Sequence, residues 1–314
     1  SSKGRRPTAG PTAGGESVNS RLPLGPPGRR EAMGNQCASC PGSNTTGEPV
    51  EVPKDIGQAL SFAKPAGVET RPPHVFDNGA TYTGDWLGTS RNGHGVQVWG
   101  DGARYEGQWS DDKAHGHGRF VHADGDIYEG EWQADQAHGQ GTYFHADGSK
   151  YEGSWEYDRQ SGEGVEAWSD GARYEGSYVA GRKHGKGRFS WADGSKYEGQ
   201  FVDNDIHGQG VYTWGDGRKF QGEWKKNRMH GKGLFTWLDG RMYDGEYEND
   251  MKHGHGTFKW PDGREYEGQW QEGKQHGIGL SSTADSQKRE GLWEEGKRVK
   301  WTNGGGGGNG ASGA

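Results

Sequence analysis

Seven histidines occupy equivalent places along this chain and are the first candidates for chemistry. Each is followed by glycine, and they recur at multiples of 23 residues: His115, His138, His184, His207, His230, His253 and His276. Zinc ligands must converge at about 2 Å from one ion, whereas successive pairs of strands advance by about 9–10 Å. We therefore expect no metal here and predict that each histidine makes a hydrogen bond that fixes a loop.

Asp-Gly dipeptides repeat with the same period and are the second candidates. They run from Asp101-Gly102 to Asp262-Gly263, and Asn78-Gly79 stands in the same place before the first copy. Carboxylates spaced in this way cannot form a calcium site or an acid–base pair. Asp-Gly and Asn-Gly favour two-residue type I′ turns, because both central residues need a positive φ. The dipeptides therefore predict tight hairpin turns.

No nucleophile stands beside a base that lies outside the repeat pattern. Gly-x-Gly pairs such as Gly185-Lys186-Gly187 lack the strand-to-helix context of a phosphate-binding loop. We predict no catalytic, cofactor-binding or metal-binding residue, no cofactor and no enzymatic activity.

The two cysteines lie in a segment that is typical of lipid attachment, Met33-Gly34-Asn35-Gln36-Cys37-Ala38-Ser39-Cys40. Gly34 would carry myristate and Cys37 or Cys40 palmitate, although Ala38 stands where Ser or Thr is preferred. Myristoylation of Gly34 requires translation to start at Met33. One myristoyl chain anchors only marginally, so stable attachment needs an acylated cysteine too. A Cys-x-x-Cys redox or metal site, or no role at all, are the alternatives.

Two basic segments interrupt an acidic body. They contain Arg182, Lys183, Lys186 and Arg188 in one copy and Lys225, Lys226, Arg228 and Lys232 two copies later. We predict that both are loops on the same edge of the sheet. They are either solvated charges or a patch for a lipid headgroup or an acidic peptide, at about 1 kcal/mol per charge near an anionic leaflet.

The composition excludes several classes of protein. Leu, Ile, Val and Phe together account for only 34 of 314 residues, and no apolar run approaches the ~18 residues of a transmembrane helix. Residues 75–314 carry 28 basic and 38 acidic side chains, which argues against binding to nucleic acid. However, 35 of the 36 aromatic residues follow residue 74. The chain must therefore fold around aromatic rings and glycine.

These aromatics and glycines form a repeat of 23 residues. An anchor ring opens each copy, a glycine follows two residues later and a second aromatic four residues later, and the anchors are Tyr82, Tyr105, Tyr128, Tyr151, Tyr174, Tyr197, Phe220, Tyr243 and Tyr266. Alternation of aromatic or glycine with polar residues predicts two five-residue strands per copy. A polar loop that ends in His-Gly is expected between them. Glycines between rings on one face indicate that neighbouring rings lie across them.

The unit Tyr-Glu-Gly-x-Trp, followed by His-Gly-x-Gly-x-Phe/Tyr-x-Trp-x-Asp-Gly, closely resembles the MORN repeat over about residues 76–301. The resemblance implies an elongated single-layer antiparallel sheet of nine to ten stacked hairpins, an all-β fold. It also implies a scaffolding or membrane-proximal module of the kind found in junctophilins, radial-spoke heads and plant phosphatidylinositol-phosphate kinases, without fixing one activity.

Three regions are predicted. Residues 1–73 are a disordered N-terminal region with the acylation segment at 33–40, residues 74–301 are the repeat array, and residues 302–314 are a flexible glycine-rich tail. The aromatic face of the array is too large to stay wet, so we expect self-association, a partner segment or residues 54–63 to cover it.

We therefore expect a non-enzymatic scaffold or adaptor, intracellular and cytoplasmic, that tethers partners at a membrane or a cytoskeletal structure. Partner proteins would bind the aromatic sheet face or the loops, membrane lipid would be reached through acylation, and a homodimer is a further expectation. Two alternatives are a structural component of the radial-spoke-head type and the regulatory repeat region of a truncated lipid kinase or other enzyme.

Overall fold

The computed structural model of the chain describes residues 66–285 and 287–302. Gly34, Cys37 and Cys40, residues 54–63 and the tail from residue 303 lie outside this part. All regular secondary structure in the described part is β, which confirms the predicted fold class. The strands are β1 Val68–Val75, β2 Thr81–Leu87, β3 Ser90–Val98, β4 Arg104–Ser110, β5 Lys113–Val121, β6 Ile127–Gln133, β7 Gln136–Phe144, β8 Lys150–Glu156, β9 Arg159–Ala167, β10 Arg173–Val179, β11 Arg182–Ser190, β12 Lys196–Val202, β13 Asp205–Thr213, β14 Lys219–Lys225, β15 Arg228–Thr236, β16 Met242–Glu248, β17 Met251–Lys259, β18 Glu265–Gln271, β19 Lys274–Ser282, β20 Lys288–Glu294 and β21 Lys297–Trp301.

The described residues divide into two compact units whose boundary falls at β10 and β11. The N-terminal unit comprises residues 66–169 and 177–182, and the C-terminal unit comprises residues 170–176 and 183–302. In the first unit β1 to β9 pair antiparallel, each with the next in the chain. In the second unit β11 to β21 do the same. Each unit is thus a meander of hairpins.

The strands are longer than the predicted five residues. From β2 to β20, seven-residue and nine-residue strands alternate. The alternation of rings and polar groups identifies only those strand residues whose side chains pack on the aromatic face. Backbone pairing continues beyond them, because the hydrogen bonds of a ladder do not depend on side chains.

The His-Gly dipeptides lie inside the nine-residue strands, and the predicted polar loop is wrong. In β13, Gly210 faces Gly199 and His207 faces Gln200, so two residues between them have no counterpart on β12. Gly208, at φ +61°, opens this bulge. The residue after the histidine is glycine because a left-handed backbone conformation costs little free energy only for glycine.

The two kinds of turn are the reverse of those predicted. The tight two-residue turns follow the seven-residue strands, as at Tyr157 and Asp158, where φ is +50° and +61°. The Asp-Gly connection is instead a three-residue loop, closed by hydrogen bonds from Trp99 N–H to Ala103 O at 2.9 Å and from Gly102 N–H to Trp99 O at 3.0 Å. Of the three loop residues, only Gly102 has a positive φ. The Asp101 carboxylate accepts the Ala103 N–H at 3.0 Å.

Strand β1 crosses the boundary that the sequence placed between residues 73 and 74. It pairs with β2, and its register shifts between Arg71 and His74. Pro72 and Pro73 lie at the shift because proline has no N–H to give to the ladder. The assignment of residues 68–73 to a disordered region is therefore corrected. At the other end, β21 ends at Trp301, where the sequence placed the end of the array.

Candidate functional site

The anchor ring of each repeat lies across two glycines that face each other on paired strands. In the repeat that starts at Tyr197, these are Gly199 and Gly210. A Cβ on Gly199 would stand 2.3 Å from the Tyr197 hydroxyl oxygen, and one on Gly210 would stand 2.2 Å from it. The prediction that rings lie across the strand glycines is confirmed, and no other residue type fits beneath the ring.

The hydroxyl of an anchor tyrosine closes this arrangement. It donates to the main-chain carbonyl three residues later, at 2.9 Å from Tyr105 to Gln108 and 3.0 Å from Tyr197 to Gln200. Burial raises the pKa of seven anchor hydroxyls, to about 12 for Tyr266, and the seven are Tyr82, Tyr105, Tyr128, Tyr151, Tyr197, Tyr243 and Tyr266. The phenols therefore stay neutral and keep donating over the ordinary pH range.

Anchor rings and the aromatics that follow them form an edge-to-face ladder in each unit. In the N-terminal unit, successive centroids are 5.0–5.5 Å apart and ring planes meet at 83–89°, in the order Trp86, Tyr82, Trp109, Tyr105, Trp132, Tyr128, Trp155, Tyr151, Tyr178. In the C-terminal unit, centroids are 4.9–5.7 Å apart, in the order Tyr174, Phe201, Tyr197, Trp224, Phe220, Tyr247, Tyr243, Trp270, Tyr266, Trp293. This is a favourable geometry for aromatic pairs.

The ladder is the core of each unit and largely buries itself. The anchors are at most 1% exposed, and every other ring of the two ladders except Trp132 is buried. Indole N–H groups also bind the preceding repeat, as from Trp270 to the Gly256 carbonyl at 3.0 Å. The ladder rings therefore shield one another from water, whereas aromatics beside the ladder such as Trp99 and Phe120 are only partly buried. The expectation that self-association, a partner segment or residues 54–63 cover the aromatic face stays a prediction.

A third side chain reaches the aromatic face between successive rungs, nine residues after each anchor. We call these the gap residues, and they are Arg91, Ala114, Ala137, Gln160, Lys183, Ile206, Met229, Lys252 and Gln275. Their register places them beside the ladder, since Ala114 faces Trp109 and Lys252 faces Tyr247 on paired strands. They vary in chemistry while the ladder around them does not.

Cations at gap positions lie over the rings. The Lys252 ammonium is 4.9 Å from the Phe258 centroid and 5.0, 5.4 and 5.5 Å from those of Trp270, Trp237 and Tyr243. The Arg91 guanidinium is 4.1 Å from the ring of Trp109. These distances are those of cation–π contacts. These two cations were not predicted, although their constant offset of nine residues from the anchors is a signal in the sequence.

The two basic segments are mainly strand, which corrects their interpretation as loops. Arg182, Lys183, Lys186 and Arg188 lie in β11, Arg228 and Lys232 in β15, Lys225 ends β14, and only Lys226 is in a turn. Lys183 faces the rings, with its ammonium 5.1 Å from the Tyr174 centroid. Arg188 pairs with Glu198 at 3.1 Å, and Lys232 stands opposite Glu246.

The seven histidines do not make the predicted repeated hydrogen bond. Nδ1 of His138 has no partner among the described residues, while Nε2 of His253 is 3.5 Å from Glu248. The bulge is held instead by a Gln or Glu three residues after the anchor, as where Gln108 accepts the His117 N–H at 2.8 Å. In the part of the chain that the structure covers, no group of three His, Cys, Asp or Glu could hold a metal ion.

Each tight turn is bound to the repeat before it, a contact that the sequence did not predict. Asp135 accepts the N–H of Ala114 at 2.7 Å and returns its own N–H to the Ala114 carbonyl at 3.0 Å. Asn227 makes the same pair of bonds with Ile206. Since partners are 21 residues apart, these bonds join repeats and not strands within one hairpin.

The repeat at 151–173 departs from the pattern, and its changes compensate one another. Glu166 replaces an aromatic, and it accepts a hydrogen bond from the Tyr178 hydroxyl at 2.9 Å, where most repeats carry tryptophan. Glu163 accepts from Ser177 Oγ at 2.6 Å. The departure therefore has a local explanation within the N-terminal unit.

Comparisons with known proteins agree with the repeat geometry. A family model described as MORN repeat matches nine segments, at residues 82–104, 105–127, 128–150, 151–173, 174–196, 197–217, 220–240, 243–263 and 266–287. No curated protein matches the chain. None of the described residues forms a helix that could cross a membrane.

Several solved structures share a limited likeness. The TCP domain of SAS-4 (dCPAP) from Drosophila melanogaster, in complex with a proline-rich motif of Ana2 (dSTIL), is 13% identical with a TM-score of 0.32, over 64% of this chain and 99% of that one. The TCP10c domain of Drosophila melanogaster Sas-4 is 12% identical with a TM-score of 0.29, over 57% and 100%. Virginiamycin B lyase from Staphylococcus aureus is 12% identical with a TM-score of 0.14, over 70% and 69%.

Proposed function

The chain belongs to the MORN-repeat family, and on this premise we propose that it is a non-enzymatic scaffold that holds partner proteins beside a membrane. The observation that supports this most directly is that some positions of the repeat are constant and others vary. Anchor rings, strand glycines and turn contacts recur from copy to copy, whereas gap residues and polar-face residues differ. A constant frame with variable side chains suits the presentation of several distinct binding surfaces.

Attachment to the membrane is assigned to Gly34, Cys37 and Cys40. Myristate on Gly34 would give reversible binding, and palmitate on either cysteine would make it stable. We further propose that the exposed basic side chains Lys225, Arg228 and Lys232 add attraction to anionic headgroups, at about 1 kcal/mol per charge near the surface. The equivalent contribution from β11 is reduced, because Lys183 faces the rings and Arg188 is paired.

The anchor is tested with the form that starts at Met33, expressed in cells fed a clickable myristate analogue. We expect label on the protein and most of it in the membrane fraction. Gly34→Ala should abolish the label and release the protein. Cys37→Ser with Cys40→Ser should keep the label but weaken membrane retention.

Two outcomes would contradict the proposal. An unlabelled Met33 form that fractionates like Gly34→Ala would remove the anchor. A protein that follows axoneme or cortex and ignores all three substitutions would favour the structural, cytoskeletal alternative instead.

A further inference from the structure

One gap position is framed by a complete set of aromatic rings but filled by alanine. Ala114 belongs to one hydrophobic cluster with Trp99, Tyr105, Phe120 and Trp132, and we call these four rings the Ala114 box. The corresponding rings around Lys252 are Trp237, Tyr243, Phe258 and Trp270, which we call the Lys252 box. Each ring of one set occupies the same place in the repeat as a ring of the other set, 138 residues apart.

The two boxes have nearly the same dimensions. In the Ala114 box, the centroids of Trp99 and Phe120 are 5.4 Å apart, those of Phe120 and Trp132 are 6.2 Å apart, and those of Tyr105 and Trp132 are 5.3 Å apart. The matching separations in the Lys252 box are 5.6, 6.2 and 5.1 Å. A frame that surrounds an ammonium in one repeat therefore recurs in another, where the chain provides only a methyl group.

The Ala114 box is also the more open of the two. Trp270 and Phe258 are 6% and 7% exposed beside Lys252, whereas their counterparts Trp132 and Phe120 are only partly buried. At Ala114 these rings lack the covering stem that the lysine side chain provides at Lys252. No other ladder tryptophan of the described residues is as accessible as Trp132.

A carboxylate stands next to this box. Asp135 accepts the Ala114 N–H at 2.7 Å. Its negative charge also contributes to the raised pKa of Tyr105, a ring of the box. In the preceding repeat the equivalent Asp112 pairs at 3.1 Å with Arg91, the cation that fills its own gap. At Ala114 the chain therefore supplies both the rings and the negative charge, but no cation at the gap position.

We propose that the Ala114 box binds a lysine or arginine side chain of a partner polypeptide. The cation would lie over Phe120 and Trp132 with Asp135 beside it, as Lys252 and Arg91 lie over the rings of their own repeats. Desolvated cation–π contacts are strong enough to favour a charged side chain over a neutral one of the same shape by about tenfold. The cellular meaning of the site rests on the scaffold function proposed above, although its binding chemistry does not.

The test uses the whole chain and four small probes. N-acetyl-lysine amide and N-acetyl-arginine amide are titrated against their neutral counterparts, N-acetyl-norleucine amide and N-acetyl-citrulline amide, with tryptophan fluorescence and the indole N–H resonance of Trp132 as readouts. We expect the cationic probes to bind about tenfold more tightly and to move the Trp132 resonance. Equal binding of the neutral probes would overturn the proposal, because the site would then be an apolar pocket.

Three variants locate the site. Ala114→Lys should fold, since Lys252 occupies the same position elsewhere, and it should weaken probe binding at least tenfold by filling the box. Lys252→Ala should open a second box and raise the number of bound probes from one to two. Asp135→Asn keeps a side-chain acceptor, as Asn227 does naturally, and should weaken cation binding about threefold.

Unchanged binding by folded Ala114→Lys would overturn the assignment to this box. Phosphatidylcholine vesicles form a separate arm of the experiment. If they shift the Trp132 resonance while the amino-acid probes do not, the ligand is a lipid headgroup and the proposal of a polypeptide partner is wrong. None of these results depends on Gly34, so they are independent of the membrane anchor.

Discussion

The ring of Tyr197 lies directly over Gly210, so that a Cβ added to this glycine would stand 2.2 Å from the tyrosine hydroxyl oxygen and 2.5 Å from its ring. The same relationship recurs with Tyr82 over Gly95 and Tyr105 over Gly118. The glycine beneath the ring therefore decides how closely the aromatic ladder can approach the sheet.

Gly210→Ala is expected to destabilise the C-terminal unit by about 3 kcal/mol, because the ring must leave its place and lose its contacts on both sides. The measurement is the free energy of unfolding from urea denaturation. Gly273→Asn is the matched control in the same unit, since this glycine has φ +82° and nothing within 4 Å of an added Cβ. Asparagine tolerates such a backbone, and we expect a loss of under about 1 kcal/mol. Equal effects of the two changes would contradict the steric argument.

Tyr105→Phe is expected to cost about 1 kcal/mol, because it removes the hydrogen bond to the Gln108 carbonyl and leaves the ring in place. Phe220 shows that the ladder accepts phenylalanine, at 5.1 Å from Trp224 and 89° to it. The reverse change, Phe220→Tyr, is expected to be neutral or to stabilise by up to about 1 kcal/mol. Thermal unfolding of both variants beside the wild type tests this pair. A loss in both variants would show that ring packing, and not the hydroxyl, dominates.

Asn227→Gly isolates the contact between repeats. Asn227 has φ +64°, accepts the Ile206 N–H at 2.7 Å and donates from its side-chain amide to the Asp205 carboxylate. Glycine keeps the backbone conformation and removes both of these side-chain bonds to the preceding repeat. We expect a loss of about 1 kcal/mol for Gly and about 2 kcal/mol for Asn227→Ala, which adds the strain of a left-handed backbone. Asn227→Asp keeps the acceptor that Asp135 and Asp250 provide elsewhere, but it replaces the amide donor to Asp205 with a second carboxylate. We therefore expect a loss of about 1 kcal/mol for this change as well. Hydrogen exchange of the Ile206 amide reports the contact directly, and unchanged exchange in Asn227→Gly would rule it out.

Alkaline pH should unfold the ladder. Burial raises the pKa of Tyr266 from 10.0 to about 12, so the fold favours the neutral phenol. The stability that this group contributes is fully present below pH 10 and is lost as the pH rises towards 12. We expect the urea midpoint to fall across this window, and to fall less in Tyr266→Phe. Absorbance of the phenolate follows the titration, and an early ionisation of Tyr266 without loss of structure would contradict the prediction.

The period, the β class and the pairing of rings with glycines can be predicted from the amino-acid sequence alone. These follow from local rules, because alternation along a strand assigns faces and only glycine can lie beneath a ring. It also located the anchors, from Tyr82 to Tyr266, that form the ladder. It did not predict that the ladder would bury itself, because burial depends on rings from neighbouring repeats.

The turn types, the bulge at each His-Gly and the role of the gap residues depend on contacts between residues that are distant in the chain. Asp135 and Ala114, or Lys252 and Trp237, are brought together by the stacking of repeats and not by adjacency in the chain. When only its charge is considered, a side chain such as that of Lys183 is expected to lie in solvent. Its position over a ring becomes evident only when strand register fixes the face on which it lies, since a shift of one residue would send it to the opposite side.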